Sequence, residues 1–242
     1  MKKNALLLTL LITLCSGILY GQEFDSIRLN HILKTLKLDK TKIKEDLCIE
    51  KKMPNIEDSY IAVIPVIVEQ NKDEDYVFTV RNYIVITDSK GTIKNQYFDP
   101  TELNSDAIML RSMSIDTGLY NINNNIRAFG VKTDFVGSSR PNPYGSGTIS
   151  LYYPEGKTLK KVLDQFELDA NHGEWDTRCN GEFQDDHSYI MMDGSKTNNF
   201  TDLKIKTISV KTLNKEVKGD CDSKETSKTT YKTLKFRNGK YQ

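Results

Sequence analysis

The seventeen residues Asn171–His187, NHGEWDTRCNGEFQDDH, hold two of the three histidines, the one tryptophan, a cysteine and five carboxylates. Imidazole nitrogens and carboxylate oxygens are the donors that hold zinc or calcium, and they also exchange protons near neutral pH. Side chains of an extended chain alternate, so His172, Glu174 and Asp176 are expected on one side. With His187 they form the candidate metal set of a metal-assisted hydrolase, and a divalent metal is the one cofactor to consider. The spacing fits no established signature, since HExxH and CxxC are both absent. The competing account is a polar hairpin with Trp175 turned inward, solvated acids and Cys179 in a disulfide.

A second stretch is GSSRPNPYGSGT, Gly137 to Thr148. Two prolines fix φ and three glycines permit positive φ, so the segment reads as a restricted loop between two strands. Its large side chains are Arg140 and Tyr144. A guanidinium forks to carboxylate or phosphate, and tyrosine offers a stiff amphipathic contact. A binding role predicts that Arg140, Tyr144 and Trp175 share an exposed face. The GSG is not a phosphate loop, because no helix follows it. The GKT at Gly156–Thr158 is not one either, because Leu151 stands where the first glycine belongs. Asp88-Ser89-Lys90-Gly91 lacks the repeated acids of a calcium loop and reads as a β-turn. No G-x-S-x-G is present.

These residues need a scaffold, and the sequence describes one. Residues 24–37 space Phe24, Ile27, Ile32, Leu33 and Leu36 as one stripe of a helix, capped by Asp25 or Ser26. KIKEDL reads as a second short helix. After Asp58 the text turns β-branched and alternating. SYIAVIPVIVEQ is a strand in which Pro65 marks an edge or a bulge. Strand runs and turn residues then follow one another to the C-terminus. TLKKVLDQFEL suits a helix or a strand, and its turn-linked neighbours favour a strand. In LKIKTISVKTL the alternation slips near Thr207, which predicts a bulge there. Asn238-Gly239 is a turn, with Tyr241 making a return contact.

About ten strands at this spacing predict a mainly β, antiparallel fold, a propeller-like meander or a sandwich, with a short N-terminal helical segment. The expected organisation is a signal peptide over 1–21, a helical segment over 22–57 and an all-β domain over 58–242.

The signal reading rests on Lys2 and Lys3 followed by the mostly apolar run Ala5–Leu14, with small residues before Gln22. Cleavage is expected after Gly21, with Gly17 as the alternative. A lipid anchor at Cys15 is disfavoured by Leu14 in the small-residue position. No later segment reaches the ~20 apolar residues of a membrane span. Loss of Lys2 and Lys3 takes the net charge from +1 to −1. That balance argues against a general nucleic-acid binder, which needs clustered positive charge. Three cysteines remain. Export predicts a disulfide, and the polar surroundings of Cys179 and Cys221 pair those two, leaving Cys48 as a buried free thiol.

The block FGVKTDFVGSSRPNPYGSGTISLYY with GEWDTRC resembles exported bacterial proteins of no known function, and the Gln-start after a short Lys-rich signal resembles Bacteroidetes secreted proteins. The resemblance implies export and carries no catalytic residue. The resulting expectation is an exported, periplasmic or secreted, non-enzymatic binding protein of the cell envelope. It could be an inhibitor, an immunity-type protein, or a receptor for a protein, glycan or peptide ligand. The metal-assisted hydrolase is the alternative.

Overall fold

The computed structural model describes residues 24–242. The signal-peptide reading of 1–21 lies outside them. The described chain is mainly β and antiparallel, as the alternation predicts. After helix α1 (Ser26–Leu36) come β1 (Ile49–Lys52), β2 (Tyr60–Gln70), β3 (Phe78–Thr87), β4 (Ile93–Ser105), β5 (Ile108–Asn123), β6 (Ile126–Gly137) and β7 (Tyr144–Glu155). They are followed by β8 (Thr158–Trp175), β9 (Gly181–Thr197), β10 (Phe200–Val217), β11 (Asp220–Leu234), β12 (Phe236–Arg237) and β13 (Lys240–Tyr241).

The strand order β1-β2-β3-β4-β8-β7-β6-β5 curls into a nearly closed barrel. Two seams hold it. At one, β4 meets β8 in parallel through the single pair Gln96–Thr158. At the other, β1 and β5 approach without a ladder, and Lys51 Nζ donates to the Ile115 carbonyl at 3.0 Å. Alternate residues of each strand fill the interior: Ile61 and Val63, Val80 and Ile84, Met113 and Ile115, Phe129 and Val131. Closure of the sheet into a barrel is the step that the sequence reading, with its meander or sandwich, did not choose.

Two elements cover the outside of this barrel. Helix α1 lays Leu29, Ile32 and Leu33 on Ala62, Ile64 and Val85. That second apolar face is why β2 reads as nearly continuous apolar text from Ile61 to Val68. Asp25 caps the helix, accepting from the Ile27 and Arg28 amides. Ile27, expected in the buried stripe, is 77 % exposed. Arg28 is buried in its place, ion-paired with Glu50 and stacked 3.9 Å over the Tyr60 ring. KIKEDL forms one 3-10 turn, Glu45–Leu47, and another, Lys40–Lys42, leads into it. β1 is a strand inside the stretch read as helical. Pro65 lies past the end of the β1–β2 ladder, where a missing N–H costs nothing, and the β2 bulge falls between Ile67 and Glu69.

The second cover is a sheet of β9, β10 and β11. β9 pairs with β8 from Gly181 to His187 and then leaves it. Beyond that point Ile190 and Met192 join Leu203, Ile205 and Leu234 over Ile149 and Leu151 of the barrel wall. The predicted bulge near Thr207 is absent. β10 stays in register there on both sides, and its irregularity lies between Thr201 and Leu203. The slip in the alternation has another cause: Leu203 and Ile205 face the core, and further along β10 runs past it. The C-terminal hairpin β12–β13 turns at Asn238-Gly239, both at positive φ. Tyr241 is buried, and its hydroxyl donates to the Thr201 carbonyl at 2.8 Å.

Candidate functional site

The loop Ser138–Pro143 runs beside the end of β8. The Pro143 carbonyl accepts from the Gly173 amide at 3.1 Å, and the Pro141 carbonyl accepts from the Trp175 amide at 3.0 Å. Prolines have acceptors and no donors, so the loop extends the ladder in one direction and leaves no N–H orphaned at these positions. Just before Pro141, the Arg140 carbonyl accepts from the Trp175 indole Nε1 at 2.7 Å. The loop and the tryptophan therefore pin one another.

The turn after Trp175 is organised by Asp176. Its carboxylate accepts from the amides of Arg178 and Cys179 and from Asn180 Nδ2, each at 2.8 Å. The Asn180 bond and those two amides hold its carboxyl down at about 2. Cys179 is bonded to Cys221, as the sequence predicts, with Cα atoms 5.7 Å apart. Asn180 Oδ1 also accepts from the Glu216 amide at 2.9 Å. Disulfide, Asx turn and asparagine bridge together fasten the tips of β8, β9, β10 and β11. Among the described residues Cys48 carries the free thiol, and burial pushes it up to about 12.

The register assigns the faces. Tyr144 stands opposite His172, so those two share a face with Glu174. Trp175 alternates to the other face with Gly173 and Phe183, and its ring lies 6.1 Å from that of Phe183. Of the three expected binding residues, Arg140 and Trp175 meet through a main-chain bond, and Tyr144 stands on the opposite side of the sheet. The metal candidates divide in the same way. His172 and Glu174 are side by side opposite Gln184 and Glu182. Asp176 is consumed by its turn. His187 lies on the Trp175 face, its Nδ1 2.7 Å from Asp169 Oδ1. Five residues of strand separate it from Glu182, roughly 17 Å. Among the described residues no three His, Cys, Asp or Glu side chains are grouped to hold a metal.

The Trp175 face continues along the covering sheet. From Phe183 it passes Val210 and Ile208 on β10 to Tyr189 and Met191 on β9 and Tyr231 on β11. The register sets Tyr189, Lys206 and Tyr231 in one row across three strands, with Met191 and Lys204 in the next. Tyr189 is 53 % exposed, Tyr231 60 % and Met191 36 %. Lys204 Nζ sits 5.1 Å above the Tyr231 ring. Periodic alternation contained this stripe. It was hidden because the same strands carry Leu203 and Ile205 on the other face, and only pairing tells which set is covered.

One buried cluster was not legible from the sequence. Lys161 and Asp99, with side chains 6 % and 8 % exposed, are ion-paired inside the barrel at 2.9 Å. Lys161 Nζ also reaches Thr101 Oγ1 at 3.0 Å and Asp164 at 2.6 Å, and the Tyr152 hydroxyl donates to Asp99 at 2.6 Å. Burial pushes the Asp99 carboxyl up, but the bonds from Tyr152, Lys161 and Thr101 outweigh it and hold the carboxyl below its usual range. The adjoining void is about 20 Å³, room for one water and no substrate.

Comparison of the chain with protein-family models, curated proteins and solved structures gives no match.

Proposed function

We propose that this protein is an exported binding protein that engages a macromolecular partner of the cell envelope through the outer face of its β9–β11 sheet. The observation that carries the reading is the exposed row Tyr189–Lys206–Tyr231 with Met191 beside it. Aromatic and methionine side chains gathered on a solvent face are the composition of interface centres, where a few such anchors supply most of the affinity. Lys204 and Lys206 between them suit a partner that is apolar and acidic. The face is also stiff. The disulfide and the Trp175–Arg140 bond hold its far end, so little ordering entropy is lost on contact. The disulfide supports a working place outside the cytoplasm, periplasmic or secreted.

The test is a pull-down of the protein from its native envelope beside the variant Tyr189→Ser/Tyr231→Ser. Both side chains are exposed, so the variant should melt like the parent. The reading expects one or more partners to disappear from the variant's eluate and to reappear when the tyrosines are restored. An identical set of bound proteins from parent and variant would refute it.

A further inference from the structure

A different surface carries a second site. Where β1 ends at Lys52 the barrel seam opens, because β5 breaks register with β6 after Asp116 and again after Asn121. The gap between the turn that follows β1 and the β5–β6 tip is a cleft of about 370 Å³. That falls within the ~300–1,000 Å³ of small-ligand pockets. Its floor is apolar, with Met53, Ile126 and Phe129, and its two lips are rich in carboxamides.

Among the described residues no carboxylate and no lysine lines this cleft. Its one charged side chain, Arg127, spends Nη2 on the Thr117 carbonyl at 2.6 Å and Nε on the Gly118 carbonyl at 3.2 Å. Asn123 donates to the Asn199 carbonyl, and Asn124 accepts from Lys196. Among the described residues the side chains of Asn55, Asn121 and Asn125 have no protein partner. Each offers two donors and an acceptor; Asn55 lies in the turn after β1, and the other two lie at the β5–β6 tip.

We infer that this cleft binds a neutral saccharide. A sugar ring presents hydroxyls that both donate and accept around its edge, which is what free carboxamides complement. It presents C–H groups on its face, which suit the Met53, Ile126 and Phe129 floor. A cation would meet no carboxylate here, and the Arg127 guanidinium is turned onto the Thr117 and Gly118 carbonyls. The site stands independently of the β9–β11 face, so either can fail without the other.

Saturation-transfer NMR with maltose, cellobiose and N,N′-diacetylchitobiose tests it, using the parent protein and the variants Asn121→Leu/Asn125→Leu and Asn55→Ala. All three asparagines are exposed, one variant altering each lip, and unfolding curves confirm that both fold. The expected result is saturable binding of at least one disaccharide with Kd of about 1 mM or tighter. Each variant should weaken it by about tenfold or more, the cost of leaving a polar contact unmade. No saturable signal from any of the three sugars overturns the inference. So does binding that both variants leave unchanged, or saturation by trialanine in place of every sugar.

Discussion

Replacing Lys161 by methionine removes the cation of the buried Asp99 cluster and little of its volume. The ammonium makes contacts at 2.9 and 3.1 Å to Asp99, 3.0 Å to Thr101 and 2.6 Å to Asp164. Without it the Asp99 carboxylate keeps only the Tyr152 hydroxyl and the Thr101 amide, in a barrel interior. Removing one partner of a buried ion pair costs about 3–5 kcal/mol. For a domain of this size that lowers Tm by roughly 6–20 °C. The pH dependence is more diagnostic than the size. In the parent, Asp99 is depressed, so its contribution is full above the unfolded value near ~3.9 and is lost as pH falls through the folded value. In Lys161→Met burial outweighs the two hydrogen bonds that remain, the folded carboxyl rises above the unfolded one, and the variant regains stability relative to the parent as the pH drops. Urea unfolding followed by far-UV circular dichroism, at pH 8 and pH 5, measures both effects. The double variant Asp99→Asn/Lys161→Met should recover much of the loss, since neither partner is then left charged and alone. A loss below about 1 kcal/mol at both pH values, or a loss that grows on acidification, would refute the reasoning.

Three further outcomes follow from the geometry. Gly130→Ala places a Cβ 2.5 Å from Ile149 Cδ1 and 3.3 Å from Asp116 Cβ, and should cost about 1–3 kcal/mol in chemical denaturation with an unchanged m-value. Asp176 is held at about 2 by the amides it accepts from, so the β8–β9 tip should loosen as pH falls from ~4 through about 2. The emission of Trp175 reports this transition, and Asp176→Asn should weaken its pH dependence. Cys48, raised to about 12, should react with a thiol reagent at pH 8 at least ~100-fold more slowly in the folded protein than in denaturant.

What the sequence made legible is local. The turns at Asp88–Gly91, Gly156 and Asn238–Gly239 depend on residues that tolerate positive φ, and the structure has positive φ at Gly91, Gly156, Asn238 and Gly239. Alternation and turn residues were enough to find strands after Asp58, and TLKKVLDQFEL, whose bulge at Gln165 disguised it as helical text, was read as a strand from its turn-linked neighbours. The cysteine pairing followed from two polar turns. The rest depends on which strands meet. Asp99 and Lys161 are 62 residues apart, and the β4–β8 bridge, with Asn95 donating to the Gly156 and Thr158 carbonyls, brings their strands together. His172 and His187 are close in sequence yet on opposite faces, because their separation is odd through a paired hairpin. Ile27 fits a helical stripe, but the barrel surface receives the neighbouring stripe that contains Arg28.

The disulfide has a mechanical consequence for β11. From Asp220 to Thr233 this strand buries no side chain, and among the described residues it pairs with β10 alone. Such a strand would ordinarily fray from its outer end, one hydrogen bond after another. Here one end is riveted by Cys179–Cys221, and the other is anchored by Leu234 and Phe236 in the core. It can open only as a bubble between two fixed points, which confines both halves of the rupture to a closed loop and favours their rejoining. A polar edge strand thus keeps its place through its attachments, and the tyrosine row it completes stays flat under load.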